Sequence, residues 1–341
     1  MKVLFIGGTG NISTAVSHLA VQRGIELTLL TRGTREQSVP GARTIQCSIG
    51  DEESVAAAIQ GLKFDAVVDW IAFTPEDIER DLRLFQGRTS QFVFISSASC
   101  YQKPVQHYLI TENTPLENPF WDYSRQKIAC EQRLWRASDE QAFPVTIVRP
   151  SLTYGDTIIP LPTNSWYPNA FTIIDRMRKG KKVAIPGDGT SLWVLTHNSD
   201  FAKGLLGLIG NSAAIGEAFH ITSDEVLNWN QIYAEVAGAA GVKPDFIHIA
   251  SDFVAECMPD KLGSLIGDKS NSVVFDNSKL KATVPGFEAT KTFAAGIRET
   301  VAWFDADPSR QLIDHKADAD WDRLIEAYES SLRTAKQSFR K

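Results

Sequence analysis

Up to Pro150, apolar positions fall into short unbroken runs separated by longer amphipathic stretches. The runs predict strands at Lys2–Ile6, Glu26–Thr31, Thr44–Ser48, Ala66–Ile71, Gln91–Ser96 and Val145–Arg149. The stretches between them place apolar residues at helical spacing and predict helices near Ile12–Arg23, Glu52–Gln60, Glu76–Phe85 and Tyr123–Ser138. Strands that lack polar alternation are buried on both faces. In a strand–helix alternation this means a parallel sheet covered by helices on both sides. The expected fold class is α/β, with a doubly wound parallel sheet.

Beyond Pro150 the pattern loosens. Asp156–Asn169, rich in proline and aromatics, predicts a loop reaching over a pocket, and Phe171–Lys179 predicts a helix. Leu192–His197, a helix over Ser199–Ile209, and Ala218–Thr222 read as a return to the main sheet. Helices near Trp229–Ala240 and Thr292–Phe304 follow. Asp320–Ala335 closes the pattern, with Trp321, Leu324, Ile325, Tyr328 and Leu332 on one face. The expected division is a nucleotide-binding domain over 1–155, completed by about 192–222. Residues 156–191 and 223–341 form a smaller C-terminal α/β region for substrate.

A net charge of -6 argues against a general nucleic-acid surface. Cys47, Cys100, Cys130 and Cys257 are scattered without metal-ligand spacing and read as reduced thiols. No apolar run reaches membrane-spanning length, and the N-terminal run is too short for a leader. The expected location is cytoplasmic.

The first strand breaks into Gly7-Gly8-Thr9-Gly10-Asn11-Ile12-Ser13. Glycines there open backbone angles closed to other residues, and a helix start favours an anion. A strand, glycine turn and helix in that order predict a cradle for a dinucleotide pyrophosphate. The spacing is G-x-x-G-x-x-S, so the third glycine position holds Ser13. Downstream, Tyr123 and Lys127 stand at i and i+4 and share a helix face. An ammonium beside a phenol favours phenolate, which suits proton transfer. Ser96-Ser97-Ala98-Ser99-Cys100-Tyr101 follows a predicted strand, where open α/β sheets bind ligands.

Together these residues resemble the extended short-chain dehydrogenase/reductase superfamily, the NAD-dependent epimerase/dehydratase group with its Rossmann domain. Val148–Gly155, Thr196–Asp200 and the C-terminal run from Pro285 to Phe304 extend the resemblance over most of the chain. It implies a catalytic trio. Tyr123 is the acid/base, Ser97, four residues before Tyr101, bonds the same substrate oxygen, and Lys127 lowers the phenol pKa and binds ribose. It implies cofactor contacts at Gly7, Thr9, Gly10, Asn11 and Ile12, at Ser48 and Ile49, at Ile71 and Ala72, and at Pro150 and Ser151, besides Tyr123 and Lys127. At the second strand end, Thr31, Arg32 and Arg35 replace the acid that holds an NAD ribose. This favours NADP over NAD; the alternative is Arg32 stacked on adenine.

The expected reaction is hydride transfer at a sugar or sugar-derived hydroxyl or ketone. Ala98 and Ser99 stand where dehydratases of the family carry an acidic pair, which argues against water elimination. Trp193 stands where many epimerases carry an arginine for the substrate diphosphate. Ser99, Trp121 and Trp193 are the expected substrate contacts, while Asp69 and His197 read as structural. The competing expectation is a non-catalytic relative of the chloroplast stem-loop RNA-binding type or a cofactor-dependent sensor. The resemblance also implies a homodimer, with Leu82, Leu84, Phe85, Ile128 and Leu134 offered to the interface.

Overall fold

A computed structural model of the chain describes residues 1–33 and 39–340. Arg35 lies outside the described residues. Seven parallel strands form the central sheet: β1 Lys2–Ile6, β2 Glu26–Thr31, β3 Arg43–Gln46, β4 Ala66–Asp69, β5 Phe92–Ile95, β6 Val145–Pro150 and β7 Glu217–Ile221. Their order across the sheet is β7-β6-β5-β4-β1-β2-β3. Ile6 is in register with Leu30 on one side and Asp69 on the other. The order reverses between β1 and β4, and the crevice outside their C-terminal ends is where such sheets take ligands.

Alternating residues of β1 serve the two faces. Val3 and Phe5 pack with Val16 and Ala20 of α1 (Ser13–Gln22). Leu4 and Ile6 pack with Val55 of α2 (Glu52–Ala58), Ile78 and Phe85 of α3 (Pro75–Phe85), and Leu134 of α4 (Asp122–Gln141). Helix starts follow local chemistry: Asp51 accepts from Ser54 N at α2, and Thr74 forms a capping box with Asp77 at α3.

Several expected boundaries move. The fourth strand stops at Asp69 rather than Ile71, because the Asp69 carboxylate accepts from Ile71 N (2.6 Å) and Ala72 N (2.9 Å) and turns the chain. Leu192–His197 does not return to the main sheet. Leu192–Trp193 pairs antiparallel with Leu227–Asn228, and Leu195–His197 pairs parallel with Leu152–Tyr154. Only β7 completes the main sheet. A second small parallel pair, Lys182–Pro186 with Asp245–Ile249, was not signalled by the pattern. The last helix runs over His315–Phe339, capped by Asp314; it buries Trp321, Leu324 and Ile325 but leaves Leu332 exposed.

Leu82, Leu84, Phe85, Ile128 and Leu134 are all buried within the single chain. Leu82, Leu84, Phe85 and Leu134 pack with the strands of the sheet, so these four are not free faces for a dimer interface. Among the described residues, the four cysteines are unpaired and no helix is long and apolar enough to cross a membrane.

Candidate active site

One cleft of about 780 Å³ opens along the C-terminal edge of the sheet and runs from Arg32 and Ser48 past the glycine turn to Ser97 and Tyr123. Its size lies in the range of small-molecule sites. At one end, Gly7 and Gly8 take φ of 97° and 106°. A Cβ on Gly8 would meet Leu29 Cδ2 at 2.7 Å, so the turn accepts only glycine there. Ser13, the irregular third position, accepts a hydrogen bond from Gly10 N (2.8 Å), and Ser17 donates to Gly8 O (2.8 Å). The start of α1 carries no side-chain cap and no acid in its first turn. Together these features fit a diphosphate.

At the other end, β5 delivers Ser96 and Ser97. Ser96 turns inward and donates to Glu131 Oε1 (2.5 Å), which excludes it from the cleft chemistry. Ser97 lines the cleft with its Oγ 2.9 Å from Ser99 Oγ, and Ser124 donates to Ser99 Oγ (2.8 Å). Tyr123 lies at the start of α4, its ring 5.0 Å from Trp121 and 6.3 Å from Phe73. Burial pushes its phenol up to about 12, against a hydrogen bond with Ser97 that pulls it down. Lys127, one turn on, donates to Ala72 O (2.7 Å) and Ile95 O (2.8 Å). Its ammonium is thereby directed at the last residue of β5 and at the turn that follows β4. The expected lowering of the Tyr123 pKa is thus outweighed here: burial dominates, and the phenol keeps its proton at neutral pH.

Nearly all sequence-nominated residues meet in this cleft: Ser97, Tyr123 and Lys127; Gly7, Thr9, Gly10, Asn11 and Ile12; Thr31 and Arg32; Ser48 and Ile49; Ile71; Pro150 and Ser151; and Ser99, Trp121 and Trp193. Among the described residues, Ala72 is the exception. It is fully buried and contributes its carbonyl to Lys127 rather than a cleft surface. Asn11 has structural partners as well, donating to Thr153 O (3.1 Å) and accepting through its carbonyl from Asn198 (2.8 Å). Trp193 stacks on Trp229 at 5.4 Å.

Sequence reasoning missed two parts of the site. Glu131, one turn beyond Lys127, holds Arg149 of β6 (2.6 Å), which also donates to Tyr101 Oη (3.3 Å). Lys103, Asp268 and Lys269 also line the cleft. No local motif marks them, because they come from segments that only folding brings together.

Fold and cleft define the class: a doubly wound α/β protein with a nucleotide-cofactor cradle beside a group of hydroxyls. The chain belongs to the NAD dependent epimerase/dehydratase family, which matches residues 3–222. It is similar to the 2'-dehydrokanamycin reductase of Streptomyces kanamyceticus, 24% identical over 294 residues, 84% of this chain and 80% of the relative. It is also similar to the chloroplast stem-loop binding protein of 41 kDa b of Arabidopsis thaliana. That match is 25% identical over 267 residues, 72% of this chain and 65% of the plant protein. In fold it resembles the UDP-glucose 4-epimerase of Thermus thermophilus solved in complex with NAD. The TM-score is 0.70 at 20% identity, covering 89% of this chain and 99% of the epimerase.

Proposed function

We propose that this chain is an NAD(P)-dependent oxidoreductase or epimerase acting on a hydroxyl or ketone of a sugar or sugar derivative. The observation that carries this reading is the meeting of Ser97, Tyr123 and Lys127 with the glycine turn in one cleft. The cofactor, when bound, supplies or accepts the hydride. Tyr123 gives or takes the proton at the substrate oxygen, and its raised pKa keeps it ready to donate at neutral pH. Ser97 bonds the same oxygen, and the hydroxyl chain through Ser99 and Ser124 orients it. Lys127 fixes the end of β5 and the turn after β4 with two N–H bonds, and its third N–H remains for the cofactor ribose. Trp121 offers a face to the sugar, while Trp193, buried and stacked on Trp229, shapes the wall behind it. Arg32 at the end of β2 favours NADP.

The test follows the absorbance of the reduced cofactor with NAD and NADP separately across a panel of sugars, with product analysis to catch epimerisation, which leaves no net cofactor change. Tyr123→Phe is expected to lower turnover by roughly 10²- to 10⁴-fold without loss of cofactor binding. Normal turnover in that variant would falsify the assignment. The plant relative suggests RNA binding as the competing outcome. Tight stem-loop binding with steep salt dependence, and no sugar turnover, would replace the present reading.

A further inference from the structure

The substrate end of the cleft carries charge that the Ser97–Tyr123–Lys127 chemistry does not use. Lys103, in the loop after β5, is only 3% exposed yet lines the cleft. Its ammonium makes no hydrogen bond or close ion pair among the described residues, and the Asp268 carboxylate acts on it only from a longer range. Lysines this buried are otherwise paired. A second lysine arrives from the C-terminal region. Leu265–Lys269 forms a π-helical turn, a widened geometry often found at functional sites, and Lys269 is 6% exposed on the cleft wall.

The turn is held rigidly against the catalytic half. Asn118 donates to both Ser99 O (2.8 Å) and Gly267 O (2.7 Å), and Trp229 Nε1 donates to Lys269 O (2.8 Å). Asp268 Oδ2 pairs with the Lys269 ammonium at 3.1 Å. Asp268 also acts on Lys103, so one carboxylate faces two ammonium groups and leaves one positive charge in a wall that includes Trp121, Trp166 and Trp193. The Lys269 ammonium lies 5.7 Å from the Trp121 ring, which in turn lies 5.0 Å from the Tyr123 ring. That places the charge within reach of a sugar whose reacting carbon sits at Tyr123.

We propose that Lys103, with Lys269, forms an anion subsite that selects sugar substrates bearing a carboxylate or phosphoryl group. The inference rests on the cleft being a substrate site as read above, and it narrows the substrate class. Burial lowers the pKa of Lys103, and an anionic ligand would relieve that penalty. A charge-assisted bond to a buried lysine is worth enough to raise affinity roughly ten- to hundredfold. Neutral sugars gain nothing from it, and amino sugars are repelled.

The experiment titrates the full chain, loaded with saturating NADP, by tryptophan fluorescence with four probes: glucuronate, glucose 1-phosphate, glucose and glucosamine. At least one anion is expected to bind roughly tenfold or more tightly than glucose, with glucosamine weakest. Whichever anion leads identifies the group as carboxylate or phosphoryl. Lys103→Met is expected to bring the ratio of the glucose to the anion Kd down to about one, and Lys269→Met to lower it in part. Should Lys103→Met fail to fold, Lys103→Gln is read in its place.

Absence of any anion preference in the wild type overturns the proposal. So does a preference that survives both the Lys103 and Lys269 variants. A structural lysine would lower the urea midpoint on substitution and leave ligand preference alone, which also overturns it. The readout is binding, so Tyr123→Phe is expected to keep the anion preference. If neither NAD nor NADP binds, the enzymatic reading falls, and the same titrations without cofactor still decide the role of Lys103.

Discussion

Tyr123 shows how a residue recognised by spacing acquires its working state from its surroundings. The i, i+4 relation to Lys127 suggests a lowered phenol pKa, yet burial raises it to about 12 and the lysine bonds the Ala72 and Ile95 carbonyls instead. A protonated phenol suits donation to a carbonyl oxygen. Arg32 is a residue-scale case of a different kind. It is exposed at the mouth of the cleft, and among the described residues its guanidinium has no hydrogen bond or ion pair. Arg32→Ala is expected to raise the Kd for NADP by roughly tenfold, the worth of one charge-assisted contact, and to change that for NAD by less than about twofold. Isothermal titration with both cofactors checks this; equal losses for both would mean that Arg32 stacks on adenine.

At the scale of elements, α4 carries the site. Tyr123, Lys127 and Glu131 recur every four residues on one face, and each reaches a different neighbour. Tyr123 meets the cleft, Lys127 the end of β5 and the turn after β4, and Glu131 both Ser96 and Arg149. The Glu131 and Arg149 side chains are 0% and 4% exposed. Removing one partner of such a pair leaves an uncompensated buried charge. Glu131→Gln is expected to lower stability by roughly 3–5 kcal/mol, read as a shift in urea midpoint at constant slope. A loss under about 1 kcal/mol would show that Arg149 is solvated as surface pairs are. Elements of the sheet were legible from the chain because buried parallel strands and amphipathic helices have distinct periods. The two-residue strands around Trp193 were not, since pairs that short have no period to read.

At the scale of the whole molecule, the C-terminal region closes over the sheet and buries histidines. His197 caps the helix Asn198–Leu208 by accepting from Ser199 N, and burial lowers its pKa to about 4; its Nε2 has no hydrogen-bond partner among the described residues. The unfolded imidazole takes a proton near pH 6.5, so between 6.5 and 4 the unfolded chain binds more protons than the folded one. Stability is therefore expected to fall as pH drops through that window, by up to roughly 3 kcal/mol from this residue. His220, also lowered by burial, acts in the same direction. His197→Asn keeps an acceptor for the helix cap and is expected to flatten the slope, measured as urea midpoint against pH. An unchanged slope would assign the effect elsewhere.

The cofactor half of this protein is a property of the sequence by itself. A strand, a glycine turn and a helix start are contiguous, and Tyr123 and Lys127 are one helical turn apart, so local geometry suffices to bring their groups together. Ser97 stands just after a strand, but the family resemblance, not local geometry, selects it over Ser96 and Ser99. The substrate half belongs to tertiary structure. Lys103, Trp121 and Lys269 come from three separate segments, and packing pushes the Tyr123 phenol above its ordinary pKa. Short-range patterns encode backbone conformation. Burial and the meeting of distant charges depend on how the chain closes on itself.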